Sequence, residues 1–273
     1  MLIARILTAV VLLAVLIPVV FVGPVWAWGI VSLALLMVAC VEWIALLPPD
    51  RLGARDRIAV LVAGLAVVSV VPTGQFAQPL LISVCFPALL FWVLVAPRRL
   101  ARHDARSGGR PLALGVLAAC WVALLSLRAA GPEVLLSAMA IVWVADIAAY
   151  FAGRAFGRHK LAPTISPGKS WEGAIAGVLA VALIGLASAQ LDALANALPA
   201  RLVLQWGVPA ALVVLGLLAA LSVIGDLFES LLKRQAGVKD SGKSLPGHGG
   251  VLDRIDALVP TMPVVALLHE LLR

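Results

Sequence analysis

VLQWGVPAALVVLGLLAALSVIGDLFESLLKRQ, residues 203–235, decides the fold. Residues 203–225 carry no charged side chain, and at about 1.5 Å per residue they are long enough to cross about 30 Å of hydrocarbon. The pattern predicts one helix running on to Gln235, about 50 Å in all, so its last turns should project beyond the membrane. On that extension Asp226, Glu229, Ser230 and Lys233 fall at i, i+3, i+4 and i+7 and share a face. Leu227, Leu231 and Leu232 point elsewhere. Two acids, a hydroxyl and a lysine in one stripe suit a hydrated metal ion and its phosphate ligands. They equally suit an ordinary solvated helix face.

The same apolar character recurs along the chain. Of the 273 residues 63% are apolar and 13% charged, against about 45–50% and about 25% in soluble domains. Such a chain cannot coat a soluble globule, and disorder, collagen and small disulfide scaffolds are excluded. Nine apolar segments are candidate spans: 2–22, 25–47, 58–72, 79–96, 112–130, 133–152, 172–190, 203–225 and 257–272. The fold expected is all-α, a polytopic membrane helix bundle of about nine transmembrane helices. It forms a single integral membrane domain over 1–273, with N-terminal transmembrane helices in 1–130 and a catalytic membrane region in 131–273. The first segment lacks a small-x-small cleavage site, and Gly23-Pro24 reads as a hairpin turn, so it is read as a mature helix and not a signal peptide. Cys40, Cys85 and Cys120 lie in apolar runs with no C-x-x-C pair and read as buried small hydrophobes.

Charge orients the bundle. The net charge is +7, from 21 Lys/Arg and 14 Asp/Glu. Arg5, the loop with Arg51, Arg55 and Arg57, the loop with Arg98, Arg99, Arg102, Arg106 and Arg110, and the segments holding Arg154 to Lys169 and Lys233 to Arg254 all fall on one side. Only Arg128, Arg201 and Arg273 fall on the other. The positive-inside rule puts the rich side, and with it the N-terminus, in the cytoplasm. Topology therefore explains the basic excess, and nucleic acid is not needed as a partner.

Acids inside apolar segments are costly and usually functional. Asp146 lies deep in the sixth segment, where it could pair with a base or serve a proton or ion relay. Glu42, beside Trp43 in the second, reads as structural. Two polar islands share the basic side. In GVKDSGKSLPGHGGVLDRIDAL, residues 237–258, the spacing Gly237…Gly242-Lys243-Ser244 formally matches a P-loop. A helix precedes it and Pro246-Gly247 follows, so the strand–loop–helix context of a true P-loop is missing. The composition still suits phosphate, because glycines admit close backbone approach and lysines add charge. A helix beginning near Val251 would put Asp253 in its first turn and Asp256 on the same face. Carboxylate oxygens together with substrate phosphates suit Mg2+. His248 has no partner His or Cys and reads as structural or phosphate-bonding. In the other island, Ser166-Pro167-Gly168-Lys169-Ser170 reads as a turn in which Ser170 caps the following helix, with Glu172 in its first turn. The free N–H groups there, with Lys169, suit an anion.

Together these residues resemble the phosphatidate cytidylyltransferase (CDP-diacylglycerol synthase) family. Its C-terminal signature, S-x-x-K-R-x4-K-D-x-G-x3-P-G-H-G-G-x-x-D-R-x-D, is matched with every spacing kept by Ser230, Lys233, Arg234, Lys239, Asp240, Gly242, Pro246, Gly247, His248, Gly249, Gly250, Asp253, Arg254 and Asp256. A second block runs from Asp146 to Gly173, and a Gly-Asp-x-x-Glu-Ser block spans 225–230. The chain departs at Asp146-Ile147-Ala148-Ala149-Tyr150, where the family more often has Asp-Thr-Gly-Ala-Tyr, and so lacks a hydroxyl beside Asp146.

The resemblance implies transfer of a cytidylyl group from CTP to phosphatidate, giving CDP-diacylglycerol and pyrophosphate. It carries over Asp226 and Asp253 as ligands of Mg2+, with Glu229 and Asp256 as further metal candidates, and suggests a second cation such as K+. The expected catalytic set is Asp226, Asp253, Asp146, Lys239 and Arg254. The expected substrate contacts are Lys169, Ser170, Ser230, Lys233, Lys243, His248, Gly249 and Gly250. A homodimer is expected from the resemblance alone, a site on the cytoplasmic face of an inner membrane from the charge pattern, and a bacterial origin from the Ala/Leu/Arg-rich composition. Two other readings are a transferase acting on another lipid phosphate, which competition among lipid phosphates would separate, and an ion-coupled transporter using Asp146 and Asp226. The long glycine-lysine loop opposes the latter, since transporters favour sites near the bilayer midplane.

Overall fold

The computed structural model describes residues 2–48 and 78–273. The helices are α1 (Leu2–Phe21), α2 (Val25–Ala45), α3 (Gln78–Ala101), α4 (Gly109–Ala130), α5 (Pro132–Phe156), α6 (Trp171–Ser188), α7 (Leu198–Trp206), α8 (Val208–Gln235), α9 (Leu252–Ile255) and α10 (Leu258–Leu271). Six of them, α2 to α6 and α8, are long and apolar enough to cross a membrane, and α1 and α10 contribute shorter apolar stretches. The expected span at 58–72, like the loop carrying Arg51, Arg55 and Arg57, lies outside the described residues.

Two local expectations are corrected. Residues 166–170 are not a turn. They form strand β2 (Ser166–Ser170), which pairs antiparallel with β1 (Lys160–Ala162). The Trp171 N–H donates to the His159 carbonyl at 2.9 Å and closes the ladder at the start of α6, so the bundle carries one small hairpin beside its helices. Nor is 203–235 one helix. Gly207 sits at φ 80°, in the left-handed region, and Pro209 lacks an N–H, so the chain turns there and α8 begins at Val208. Its 28 residues span about 42 Å, still longer than the hydrocarbon.

Helix α4 is the centre of the bundle, packed against α2, α3 and α10. In α3 the hydrogen-bond ladder widens at Phe91–Val95, where the Ala96 N–H reaches the Phe91 carbonyl. Pro97 has no N–H to offer the Val93 carbonyl, which is the local cause of the shift. The bulge sets Phe91 and Trp92 edge-on against Phe228 of α8, at 5.7 and 5.5 Å between centroids. Outward, Ile6, Val10, Leu13 and Ile17 of α1 and Ile175, Leu179 and Leu183 of α6 stand exposed, as lipid-facing side chains do.

The loops sort to two ends. Gln235 at the end of α8 accepts from the Ala105 N–H at 3.1 Å and donates to the His103 carbonyl. His103 meets Thr164 at 3.0 Å, and Arg234 donates to the Ile165 carbonyl at 3.4 Å. These bonds gather the basic segments after α3, α5 and α8 at one end. At the other end, Arg128 donates to the Gly23 carbonyl at 2.8 Å. Arg201 donates to the Leu272 carbonyl, which Gln205 also reaches at 3.1 Å. Arg128 and Arg201 of that side thus bond main-chain carbonyls near helix ends, while Arg273 pairs with Glu270 at 3.0 Å.

Helices α5 and α6 approach most closely through small residues. A Cβ added at Gly173 would lie 2.6 Å from the Ala149 carbonyl oxygen, and one at Gly177 would lie 2.8 Å from that of Ala145. This is the small-x3-small contact that lets membrane helices pack backbone to backbone, and it places Asp146 at the α5–α6 seam. Gly177→Leu should lower stability by about 1–3 kcal/mol through overpacking, read as a fall in Tm in detergent micelles. Gly115→Ala, where the added Cβ meets nothing within 4 Å, should hold or raise Tm by removing a helix-interior glycine. Equal Tm values for both variants would contradict this packing.

Candidate active site

The site is built where α8 leaves the apolar part of the bundle. Phe228 is buried among the aromatics of α2 and α3. Fixing that face of α8 turns the other face, with Asp226, Glu229, Ser230 and Lys233, toward the polar loops. The Lys233 ammonium lies 2.5 Å from Glu229 Oε2 and 2.6 Å from Asp253 Oδ1. It ties α8 to α9 across the glycine-rich loop. Lys169, on β2, reaches Asp226 Oδ2 at 2.7 Å, and Ser230 Oγ donates to Asp226 Oδ1 at 3.3 Å. Asp146 lies within electrostatic reach of Asp226 and Lys169. Asp256 lies within reach of Asp226, Lys169 and Lys233.

Five carboxylates thus face two ammonium groups. Burial works against the charge of Asp253, but the Lys233 ammonium and the N–H groups of Gly250 and Ser241 outweigh it and hold the carboxyl below its usual range. Asp256 behaves oppositely. Burial first, and then the neighbouring Asp226 charge, push it up to about 8. Glu229 is only 3% exposed, and its Oε1 accepts no hydrogen bond from the described residues. An orphaned carboxylate oxygen in an all-oxygen acidic cluster fits a hard cation. No three His, Cys, Asp or Glu side chains among the described residues converge as a cage, so such a cation would complete its shell with water and substrate oxygens, as Mg2+ does.

The remaining expected residues sit as follows. Ser170 Oγ accepts from the Gly173 N–H at 3.2 Å and caps α6. Arg254 donates twice to the His248 carbonyl, at 3.0 and 2.7 Å, and so braces the loop. The Leu245 N–H donates to the Gly249 carbonyl at 2.9 Å, closing a tight turn in which Gly249 adopts φ 84°. Gly250 is buried, and its N–H is given to Asp253 Oδ2 at 2.8 Å. His248 Nδ1 is buried and has no hydrogen-bond partner among the described residues. Lys239 and Lys243 are exposed on the loop and pair with no acid among the described residues. The P-loop spacing has no phosphate-loop geometry, because the Ser244 hydroxyl is turned to Glu42. Two residues not singled out as site members stand in the framework. Glu42 binds the loop. His159 contributes its backbone N–H and ring Nδ1 to Glu172, the latter at 2.7 Å. An acid in an apolar helix was the visible signal for Glu42. Nothing in the sequence pairs His159 with Glu172.

A family model described as the cytidylyltransferase family matches residues 3–272. The chain belongs to the cytidylyltransferase family. It is therefore a nucleotidyltransferase, an enzyme, and its apolar helices make it a multi-pass membrane protein. A phosphatidate cytidylyltransferase of Pseudomonas aeruginosa is 38% identical over 227 residues, 80% of each chain. Another from Brucella suis is 52% identical over 128 residues, 47% of this chain and 43% of its own. One from Haemophilus influenzae is 44% identical over 133 residues, 49% of this chain and 44% of its own.

In this family member the Glu229–Lys233–Asp253 bridge is buried, so removing its cation should be costly. Lys233→Met should lower stability in EDTA by about 3–5 kcal/mol, because two buried carboxylates lose their counter-charge. Adding Glu229→Gln to Lys233→Met should restore much of the loss. Thermal unfolding of the parent, Lys233→Met and the double variant in micelles checks this, and an unchanged Tm for Lys233→Met would contradict it.

Proposed function

We propose that this enzyme transfers the cytidylyl group of CTP to phosphatidate, releasing pyrophosphate and forming CDP-diacylglycerol. We place it in a bacterial inner membrane as a homodimer with its site on the cytoplasmic face. The observation that carries the reading is the acid–lysine cluster at the emergent end of α8, in a chain whose relatives are phosphatidate cytidylyltransferases. A diacyl substrate leaves the bilayer only at great cost, so its phosphate must be met at the membrane face. The cluster, sited where α8 leaves its apolar stretch, suits that depth.

An oxygen of the phosphatidate monoester attacks the α-phosphorus of CTP. The new P–O bond forms as the bond to the bridging oxygen of pyrophosphate breaks in line, and pyrophosphate leaves with that electron pair. The attacking phosphate is already anionic near pH 7, so no strong general base is needed. The difficulty is bringing two polyanions together, which positioning and electrostatics must overcome. Lys239 and Lys243, exposed and paired with no acid among the described residues, can receive phosphate oxygens. Lys169 and Lys233 stand among the carboxylates and bridge them. Arg254 acts by holding the loop through the His248 carbonyl.

Asp226 and Asp253 would hold Mg2+, with Glu229 and Asp256 beside them and K+ as a second cation. A bound divalent ion neutralises phosphate charge and stabilises the departing pyrophosphate. Asp146 reaches the same field from α5.

The deciding experiment mixes purified protein in micelles with phosphatidate, labelled CTP and Mg2+. The parent should form CDP-diacylglycerol. Asp253→Asn, and EDTA with the parent, should each reduce turnover by about 10²-fold or more. Near-parent activity of Asp253→Asn would overturn the metal assignment. A folded parent making no product from several phosphatidates would overturn the substrate.

A further inference from the structure

The Glu42 carboxylate lies in the apolar helix α2 and is 6% exposed, yet it meets no lysine or arginine among the described residues. Four donors satisfy it instead, two on each oxygen. Oε1 accepts from Ser244 Oγ at 2.6 Å and from the Val251 N–H at 3.1 Å. Oε2 accepts from Ser241 Oγ at 3.1 Å and from the Leu252 N–H at 2.8 Å. All four belong to one stretch of chain about two hundred residues away in sequence, and they come from both ends of it. The carboxylate therefore closes the loop 241–252 upon itself.

The loop's glycines match this role. A Cβ at Gly242 would stand 2.6 Å from Glu42 Oε1, and one at Gly250 would stand 2.5 Å from Oε2. Both positions need glycine because the backbone wraps tightly around this acid. Ser241 carries the link onward, giving its hydroxyl to Glu42 and its N–H to both oxygens of Asp253, at 3.2 and 3.0 Å. Gly250 likewise packs on Glu42 with its Cα and donates its N–H to Asp253.

We infer that Glu42 is a positioning residue of the active site: it organises the 241–252 loop from α2 and, through Ser241 and Gly250, sets the orientation of Asp253. Its effect on turnover rests on the function proposed above, whereas its effect on the loop does not. A glutamine cannot replace it. Whichever way the amide is turned, its NH2 faces a backbone N–H, that of Val251 or that of Leu252, and the oxygen alone can accept. Aspartate is one methylene too short to keep all four bonds.

The test compares parent, Glu42→Gln and Ser244→Ala in micelles free of CTP and metal, by hydrogen exchange resolved along the chain. Glu42→Gln should speed exchange of amides 241–252 by about tenfold or more, as expected for losing hydrogen bonds to a charged group. Amides of α4 and of 208–222 in α8 should exchange as in the parent. Ser244→Ala, which keeps the acid and removes one donor, should give a smaller rise over the same amides, and combining it with Glu42→Gln should add little. In the cytidylyl-transfer assay Glu42→Gln should lose about tenfold or more in kcat/KM for CTP. Unchanged loop exchange would overturn the inference, as would a rise spread evenly over the helices or full additivity in the double variant. If Glu42→Gln fails to fold, Ser244→Ala decides alone by whether its rise stays within 241–252. If the parent makes no CDP-diacylglycerol, the proposed function fails while the exchange result still judges Glu42.

Discussion

The polar end of this bundle depends on keeping charged groups satisfied beside apolar helices. Five acids and two lysines of the cluster come from α5, β2, α8 and the α9–α10 junction, and none can be stranded without a large desolvation cost. The solution is mutual. Lys233 is shared between its own helix and Asp253, and Lys169 reaches in from the hairpin to Asp226. The Lys233–Asp253 and Lys169–Asp226 pairs are therefore also tertiary ties. Elements with little apolar surface in common, such as the β-hairpin and the end of α8, are joined by charge where lipid-facing helices are joined by small residues.

This division of labour explains what could be read from the sequence. Helices α2 to α6 and the body of α8 were legible because a membrane imposes a length and a polarity that single residues cannot disguise. The stripe on α8 was legible because helical spacing alone puts Asp226, Glu229, Ser230 and Lys233 on one face. The break at Gly207 was not, because apolar residues on both sides mask a two-residue turn signal. The hairpin was missed because five residues containing proline and glycine carry no strand pattern. Glu172 holds His159 beside the hairpin, a pairing that exists only after folding. The pairing of Lys233 with Asp253 was equally hidden, since it depends on how the intervening loop returns.

That loop is the clearest case of a motif with two physical readings. Its glycines were expected to open the backbone to phosphate, as such residues do in anion-binding loops. In the folded chain Gly242 and Gly250 make room for a protein carboxylate, and the Gly250 N–H is already bonded to Asp253. Glycine content alone cannot separate the two uses, because both need backbone approach without a side chain. What separates them is the direction in which each Cα faces, and here those of Gly242 and Gly250 face Glu42. Lys239 and Lys243 of the same segment stand exposed, outside that knot.

An inner face knotted around one acid and an outer face lined with lysines make the loop a two-sided device. Its inner bonds fix where Asp253 stands relative to α8, and its exposed lysines pair with no acid among the described residues. A flexible loop would have to be ordered anew for each substrate, an entropic cost of about 1–2 kcal/mol for every residue immobilised. A loop already closed on Glu42 has met that cost in folding. The buried acid of α2 thus connects the N-terminal helices to the geometry of the acid–lysine cluster. The apolar helix that carries it supplies the rigid mount that such a site requires.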